Sequence, residues 1–494
     1  MTIVATRSGK VEGFEDRGIQ VFKGIPFATP PVGKLRWRAP QPEQAWDGVR
    51  DATKFSAQCA QSPFVMTAMM GGPEPVVSED SLYLNVWTPA CDDAKRPVLF
   101  WIHGGAFVWG SADTPWYDGT KFAEHGDVVV VTINYRLGPF GFMHLADLYP
   151  ELAGSGNLGI LDQIAALEWT RDCIAAFGGD PERVTIFGES AGGGSVGTLL
   201  GTPAARGLFT QAIAESGAAS WTKTREAANT TAAEVVANLG VEPGDLDAIL
   251  AKSMQEIIDA MPEFTENGTT GLPFAPTHDG TVLPEPPLDA IRNGSATGVR
   301  VVTGTNQDEM TLFVLADPNF FTLDFDQVRA RAANAIGDGA GELFDKFRAL
   351  YPDLAAPQLW VKIATEVVFR DPATRMLEAQ QGHGETWSYV FTWETPAFGG
   401  MLKSTHALEI PFVWDNLDQG AEMFTGDGAD RQGIADAMHA AWIAFARTGD
   451  PSTAALLWPQ YDTKRRATLR FDATREVLDD PGRELRLAFE AAQG

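Results

Sequence analysis

Cysteine is scarce in this chain: Cys59, Cys91 and Cys173 are its only thiols, too few and too scattered for a disulfide framework or a zinc site. Basic segments are missing at the start, where MTIVATRSGKVEGFED leads into no apolar run, so no signal peptide is expected and the expected location is the cytoplasm. Long apolar stretches are missing as well. VVVVTI (128–133) has the length of a strand, and no membrane span is expected. Positive charge is outnumbered, 38 Lys+Arg against 65 Asp+Glu, for a formal net charge of −27. A field of that sign repels polyanions, which argues against nucleic acid and anionic membrane as partners. With 7 histidines and no His/Asp/Glu cluster at ligand spacing, neither a metal nor a cofactor is expected.

What is present is an ordinary globular balance, 44% hydrophobic and 21% charged, over 494 residues. Short apolar runs rich in β-branched residues recur along it: PVLFWI (97–102), DVVVVTI (127–133), RVTIF (183–187), VRVVTG (299–304) and WSYVFTW (387–393). Runs that are apolar on both faces suit a parallel sheet covered by helices. Ile160, Leu161, Ile164, Leu167 and Ile174 mark one face of a helix between two of them, with Asp162, Arg171 and Asp172 on the other. This is an α/β alternation, which places active residues at the carboxyl ends of strands. The stretches 222–260 and 325–350 read as helices added around the sheet, without repeats or low-complexity tracts.

The segment GESAGGGSVG (188–197) holds G-x-S-x-G twice, around Ser190 and around Ser195. Ser190 directly follows the strand RVTIF and sits on the strand-to-helix corner, where a strained backbone requires small neighbours; Gly188 and Gly192 meet that need. Ser195 falls more than a turn inside the helix, where a hydroxyl usually bonds back to a preceding carbonyl. Ser190 is therefore the expected nucleophile and Ser195 structural. A serine needs a base, an acid to orient the base, and donors for the oxyanion. WIHGGAF (101–107) follows an apolar strand, and its Gly104, Gly105 and Ala106 can offer bare backbone N–H groups, with the N–H of Ala191 at the helix start as a further donor. From the residues alone, Asp308 and Glu309 in GTNQDEM compete for the acid.

FGGDPERVTIFGESAGG (177–193) resembles the active-serine signature of the type-B carboxylesterase family, the cholinesterase and para-nitrobenzyl esterase group. SEDSLYLNVWTP (78–89) resembles its second signature, and FKGIPFATPPVGKLRWRAPQP (22–42), NYRLGPFGF (134–142), GNLGILDQ (156–163) and HAAWIAFARTGDPS (439–452) are similar to the family as well. The resemblance implies an α/β-hydrolase fold: a mostly parallel central sheet flanked by helices in one domain spanning 1–494, with helical insertions at about 222–275 and 314–381 around the active-site gorge. It implies Glu309 as the acid and His406, in STHALEIPFVW, as the base, in the Ser, acid, His order of that fold. Ion pairs Arg36–Glu79 and Arg136–Asp162 are implied as structural braces. Glu189, beside the nucleophile, is implied as a modulator of His406, and Trp221 as a wall of the acyl pocket or a core residue.

Two departures bear on chemistry. Ser81 stands where the family has the cysteine that pairs with the position of Cys59, so that disulfide cannot form. No tryptophan occurs in 64–77, where cholinesterases place the ring that stacks on choline, which argues against recognition of quaternary ammonium. The expected function is a serine carboxylester hydrolase acting on small or aromatic esters through an acyl-enzyme, as a monomer or small homo-oligomer. Two alternatives stand beside it: a carbamate or amide hydrolase using the same triad, distinguished by leaving-group dependence, and a non-catalytic binding protein, against which Ser190, Glu309 and His406 all speak.

Overall fold

The computed structural model describes residues 1–63, 75–262, 272–314 and 317–493. Its centre is a sheet of thirteen strands among the described residues. At the N-terminal side are β1 (Thr2–Ala5), β2 (Lys10–Asp16), β3 (Ile19–Pro26) and β4 (Val49–Asp51). A two-stranded ribbon of β5 (Gln58–Cys59) and β6 (Val77–Ser78) stands apart from the sheet. The sheet continues with β7 (Tyr83–Thr88), β8 (Arg96–Ile102), β9 (Val129–Ile133), β10 (Gly179–Glu189), β11 (Gln211–Glu215), β12 (Arg300–Asn306), β13 (Thr386–Phe391), β14 (Ala467–Phe471) and β15 (Glu476–Asp479).

The spatial order is β1-β2-β3-β7-β9-β8-β10-β11-β12-β13-β14-β15, with β4 paired to β2. Every neighbouring pair from β9 through β14 is parallel, while β1 to β7, the β7–β9 junction and the β14–β15 hairpin are antiparallel. The fold is thus the α/β-hydrolase fold, a mostly parallel central sheet flanked by helices. All five apolar runs form strands, and β8, β9 and β11 are buried along their whole length, which is why their sequences show no alternation. The antiparallel strands β1 to β3 lie at one edge and mix exposed with buried positions.

Two apolar clusters cover the two faces of the sheet. One joins Val98, Phe100 and Ile102 of β8 to the helix Leu158–Cys173; the other joins Leu99 and Trp101 to Trp414, Phe412 and the helix Arg431–Thr448. A third cluster packs the helices Phe325–Ile336, Ala340–Leu350 and Ala356–Thr365 against the C-terminal helix Arg483–Gln493. The helix Leu158–Cys173 differs from the amphipathic pattern in one respect. Asp162 is fully buried on it, held by Arg136 through Nε at 2.8 Å, Nη2 at 2.7 Å and the backbone N–H at 3.0 Å. Breaking one partner of such a buried pair typically costs about 3–5 kcal/mol. Arg36 likewise grips Glu79 and donates to the carbonyls of Leu250 and Lys252, so both implied braces are present.

The three cysteines are unpaired. Cys59 is buried, its thiol pushed up to about 12 by desolvation, which removes it as a nucleophile. Among the described residues no helix is long and apolar enough to cross a membrane.

Candidate active site

Ser190 directly follows β10, capping the next helix in a conformation, φ 58° and ψ −122°, that L residues rarely adopt. The corner is held by backbone bonds: Ser190 N–H donates to Glu215 O at 2.9 Å, and Gly194 N–H donates to Ser190 O at 2.8 Å. Its two glycines are required by close approach. A Cβ at Gly188 would lie 2.5 Å, and one at Gly192 2.0 Å, from the carbonyl oxygen of Ile102 on the neighbouring strand. Ser195 is fully buried in the helix Ala191–Gly201. Its hydroxyl accepts a hydrogen bond from Gln163 Nε2 at 3.0 Å. It braces the neighbouring helix, where the sequence suggested a bond to its own preceding turn.

Asp308 and Glu309 part ways at the end of β12. Asp308, itself buried, pairs with Lys362, Oδ1 to Nζ 2.8 Å, while Glu309 is fully buried and accepts from His406 Nδ1 at 2.7 Å through Oε2. Glu309 Oε1 accepts from Ser216 Oγ at 2.6 Å and from the backbone N–H of Asn306 at 2.7 Å. Three donors on one carboxylate fix its plane and hold the imidazole in the tautomer protonated on Nδ1. The backbone N–H of His406 donates to Glu309 O at 3.3 Å, a second tie between the two segments.

Among the described residues His406 Nε2 is buried without a hydrogen-bond partner. It lies 3.1 Å from Glu189 Oε1, but off the geometry of a hydrogen bond. Glu189 is itself buried, and desolvation together with the charges of Glu409, Glu309 and Glu215 raises its carboxyl well above the usual range. Glu409 is pushed up to about 8 by burial and by Glu309. Glu215, which accepts from Trp442 Nε1 at 2.8 Å, is raised well above its usual range by burial and by the charge of Glu409. Sequence patterns did not point to Ser216, Glu215 or Glu409, because no local motif links residues that meet only in the fold.

The imidazole is packed by two rings, Phe313 at 5.0 Å and Phe369 at 4.9 Å between centroids. Phe369 belongs to a π-helical turn, Glu366–Arg370, and its ring meets Trp221 edge-on at 5.3 Å. Trp221 donates to Val368 O at 3.1 Å, and a Cβ at Gly194 would come within 3.3 Å of its ring. It therefore stands beside the first turn after Ser190, half-buried and packed against two of the apolar clusters.

The loop after β8 carries Gly104, Gly105 and Ala106. A Cβ at Gly104 would lie 3.1 Å from Ser190 Cβ, so this loop abuts Ser190. Gly105, Ala106 and Phe107 hold φ of 110°, 53° and 61°, and for Ala106 and Phe107 this costs on the order of 1–2 kcal/mol each. Gly105 O accepts from the N–H groups of Val108 and Trp109 at 2.9 and 2.8 Å. Among the described residues no group of three or more His, Cys, Asp or Glu is arranged to hold a metal ion. Residues 64–74, most of the stretch without a tryptophan, lie outside the described residues.

Residues 1–489 match the family described as the carboxylesterase family. A para-nitrobenzyl esterase of Bacillus subtilis is 41% identical over 496 residues, covering 100% of this chain and 99% of its own. A phenmedipham hydrolase of Pseudarthrobacter oxydans is 35% identical, covering 98% of this chain and 96% of its own. The crystal structure of a Geobacillus stearothermophilus carboxylesterase superposes with a TM-score of 0.91 at 43% identity, covering 99% of this chain and 100% of that one.

Proposed function

The chain belongs to the carboxylesterase family and is a carboxylic ester hydrolase, and from that premise we propose that Ser190, His406 and Glu309 are its catalytic triad. The observation that carries the assignment is the 2.7 Å bond from His406 Nδ1 to the fully buried Glu309, with His406 Nε2 3.1 Å from Glu189, the residue next to a serine held at a strained corner. His406 Nε2 takes the proton of Ser190 as Oγ attacks the ester carbonyl. Gly104 or Gly105, Ala106 and Ala191 donate backbone N–H groups to the tetrahedral oxyanion, and the helix that begins at Ala191 adds its dipole. The alcohol leaves with the proton from His406, and a water activated by His406 then hydrolyses the acyl-enzyme.

Glu189 acts on the base. Its carboxyl lies 3.1 Å from His406 Nε2, where it can tune the base electrostatically as the imidazole takes up the proton. Phe313, Phe369 and Trp221 give the acyl side an apolar, aromatic wall, suited to small or aromatic acyl groups. The carbamate and amide reading is not favoured. The chain forms one catalytic domain, with helical insertions at about 222–275 and 314–381 around the gorge. We place it in the cytoplasm as a monomer or small homo-oligomer, a reading supported by three unpaired cysteines and by Ser81 beside Cys59.

The test is hydrolysis of para-nitrophenyl acetate by the wild type, Ser190→Ala and Ser195→Ala, together with a fluorophosphonate label located by peptide mass spectrometry. Loss of turnover in the first variant alone, with the label on Ser190, is expected. A label on any other residue, or turnover surviving in Ser190→Ala, would overturn the assignment.

A further inference from the structure

We propose that His103 is a positioning residue for the oxyanion site, holding the Gly104–Gly105 peptide so that the Gly105 N–H points to the nucleophile. The proposal rests on the catalytic reading of Ser190 given above.

His103 Nδ1 lies 2.8 Å from Gly104 O. A carbonyl oxygen can only accept, so Nδ1 carries the hydrogen and Nε2 is bare; Nε2 is buried and has no partner among the described residues. Burial lowers the imidazole to about 4, so the ring is neutral at working pH and this tautomer is fixed by the carbonyl it serves. The ring is 1% exposed and stacks on Tyr135 at 4.5 Å with 22° between planes. The Tyr135 hydroxyl donates to the backbone oxygen of His103 at 2.8 Å, so stacking partner and backbone anchor are one residue. At Gly110 a Cβ would lie 2.5 Å from Nδ1 and 2.4 Å from Gly104 O; the bare Cα there leaves room for the bond.

A trans peptide is planar, and its C=O and N–H point to opposite sides. With Gly104 O turned onto the imidazole, the Gly105 N–H is directed away from it. The next peptide is fixed by the same logic, since Gly105 O takes two N–H donors from Val108 and Trp109, which turns the Ala106 N–H to the other side. The first peptide has one clamp, a side chain, where the second has two backbone donors. An oxyanion donor works only if it is aimed before the charge develops, and loss of one such donor typically costs on the order of 10²–10³ in kcat. Loosening it costs less.

The experiment compares wild type, His103→Phe and His103→Asn with para-nitrophenyl acetate, counting active sites by fluorophosphonate titration. Phenylalanine keeps the stack on Tyr135 and loses the donor; asparagine places an amide N–H near the position of Nδ1. Expected for His103→Phe is a fall in kcat per active site of about ten- to a hundredfold with KM changed by less than about threefold, and an equal loss of affinity for a trifluoromethyl ketone. His103→Asn is expected to recover most of that loss. An unchanged kcat in His103→Phe, a change in KM alone, or no recovery in His103→Asn would overturn the proposal. Nuclear magnetic resonance of the wild type labelled with ¹⁵N-histidine decides it even if neither variant folds: protonated Nδ1 with bare Nε2 at neutral pH supports it, protonated Nε2 overturns it. Turnover surviving in Ser190→Ala would sink the triad itself; turnover lost there but unaffected by His103→Phe sinks only this proposal.

Discussion

Glu309 and Glu409 meet at one hydroxyl: Ser216 Oγ stands 2.6 Å from Glu309 Oε1 and 3.3 Å from Glu409 Oε1. A hydroxyl has a single hydrogen to give, and the shorter contact takes it. The longer contact is then attractive when Glu409 carries a proton and Ser216 accepts. Burial and the charge of Glu309 push Glu409 up to about 8, which favours that arrangement at neutral pH.

Ser216→Ala should lower kcat/KM on para-nitrophenyl butyrate. It removes one of the two donors on Glu309 Oε1 and leaves only the Asn306 N–H there. A hydrogen bond to a charged group is worth about 1.5–3 kcal/mol, so a loss of about ten- to a hundredfold is expected. A change below twofold would mean that Asn306 alone fixes the carboxylate.

Stability should fall as pH rises through the range where Glu409 titrates. Its pKa in the folded chain, about 8, lies above its ordinary value of 4.5, so folding takes up a proton between those values. The contribution of this group is whole below the ordinary value and is lost as pH climbs through the folded one, at up to about 1.4 kcal/mol per pH unit. Glu409→Gln keeps the neutral shape without the titration. Thermal midpoints from pH 5 to 9 should decline less steeply in that variant than in the wild type; parallel curves would refute the assignment.

Glu309→Gln and Asp308→Asn should separate cleanly although the residues are neighbours. Replacing the acid that orients the base should cost about 10³–10⁴ in kcat. Asp308→Asn breaks a partly shielded pair with Lys362, and the expectation there is a modest drop in thermal midpoint with kcat within about threefold. Steady-state kinetics and thermal melts on the two variants check both halves.

Two glycine substitutions should move in opposite directions. Gly192→Ala puts a methyl 2.0 Å from the Ile102 carbonyl and should abolish the native elbow, seen as loss of soluble, cooperative unfolding. Gly433→Ala, in the helix Arg431–Thr448 with nothing near its Cα, should stabilise by about 1 kcal/mol. A Gly433→Ala chain that melts lower would contradict this.

What could be read from the sequence was what local physics writes locally. Strands β8, β9, β10, β12 and β13 announce themselves because burial on both faces demands unbroken apolar runs, and Ser190 is marked by the glycines that its crowded corner requires. The edge strands β1 to β3 carry no such mark, since their exposed positions accept polar residues. The choice between Asp308 and Glu309 depends on which of two adjacent side chains turns inward, and only packing decides that. Asp162 reads from periodicity alone as a solvent-facing residue, and it is the family resemblance that pairs it with Arg136. Ser216, Glu215 and Glu409 form a cluster behind the triad with no spacing to betray it.

The bond between His406 and Glu309 joins positions 97 residues apart, on segments that follow β12 and β13, well after the nucleophile's own corner. A chain emerging from the ribosome therefore presents its serine long before it owns a base. Until the segment bearing His406 has been made and has docked, the growing polypeptide holds an unactivated alcohol. On the proposed triad, esterase activity is thus a report on completed synthesis: it switches on late, and a chain that stops short of residue 406 would leave behind an inert fragment rather than a stray hydrolase.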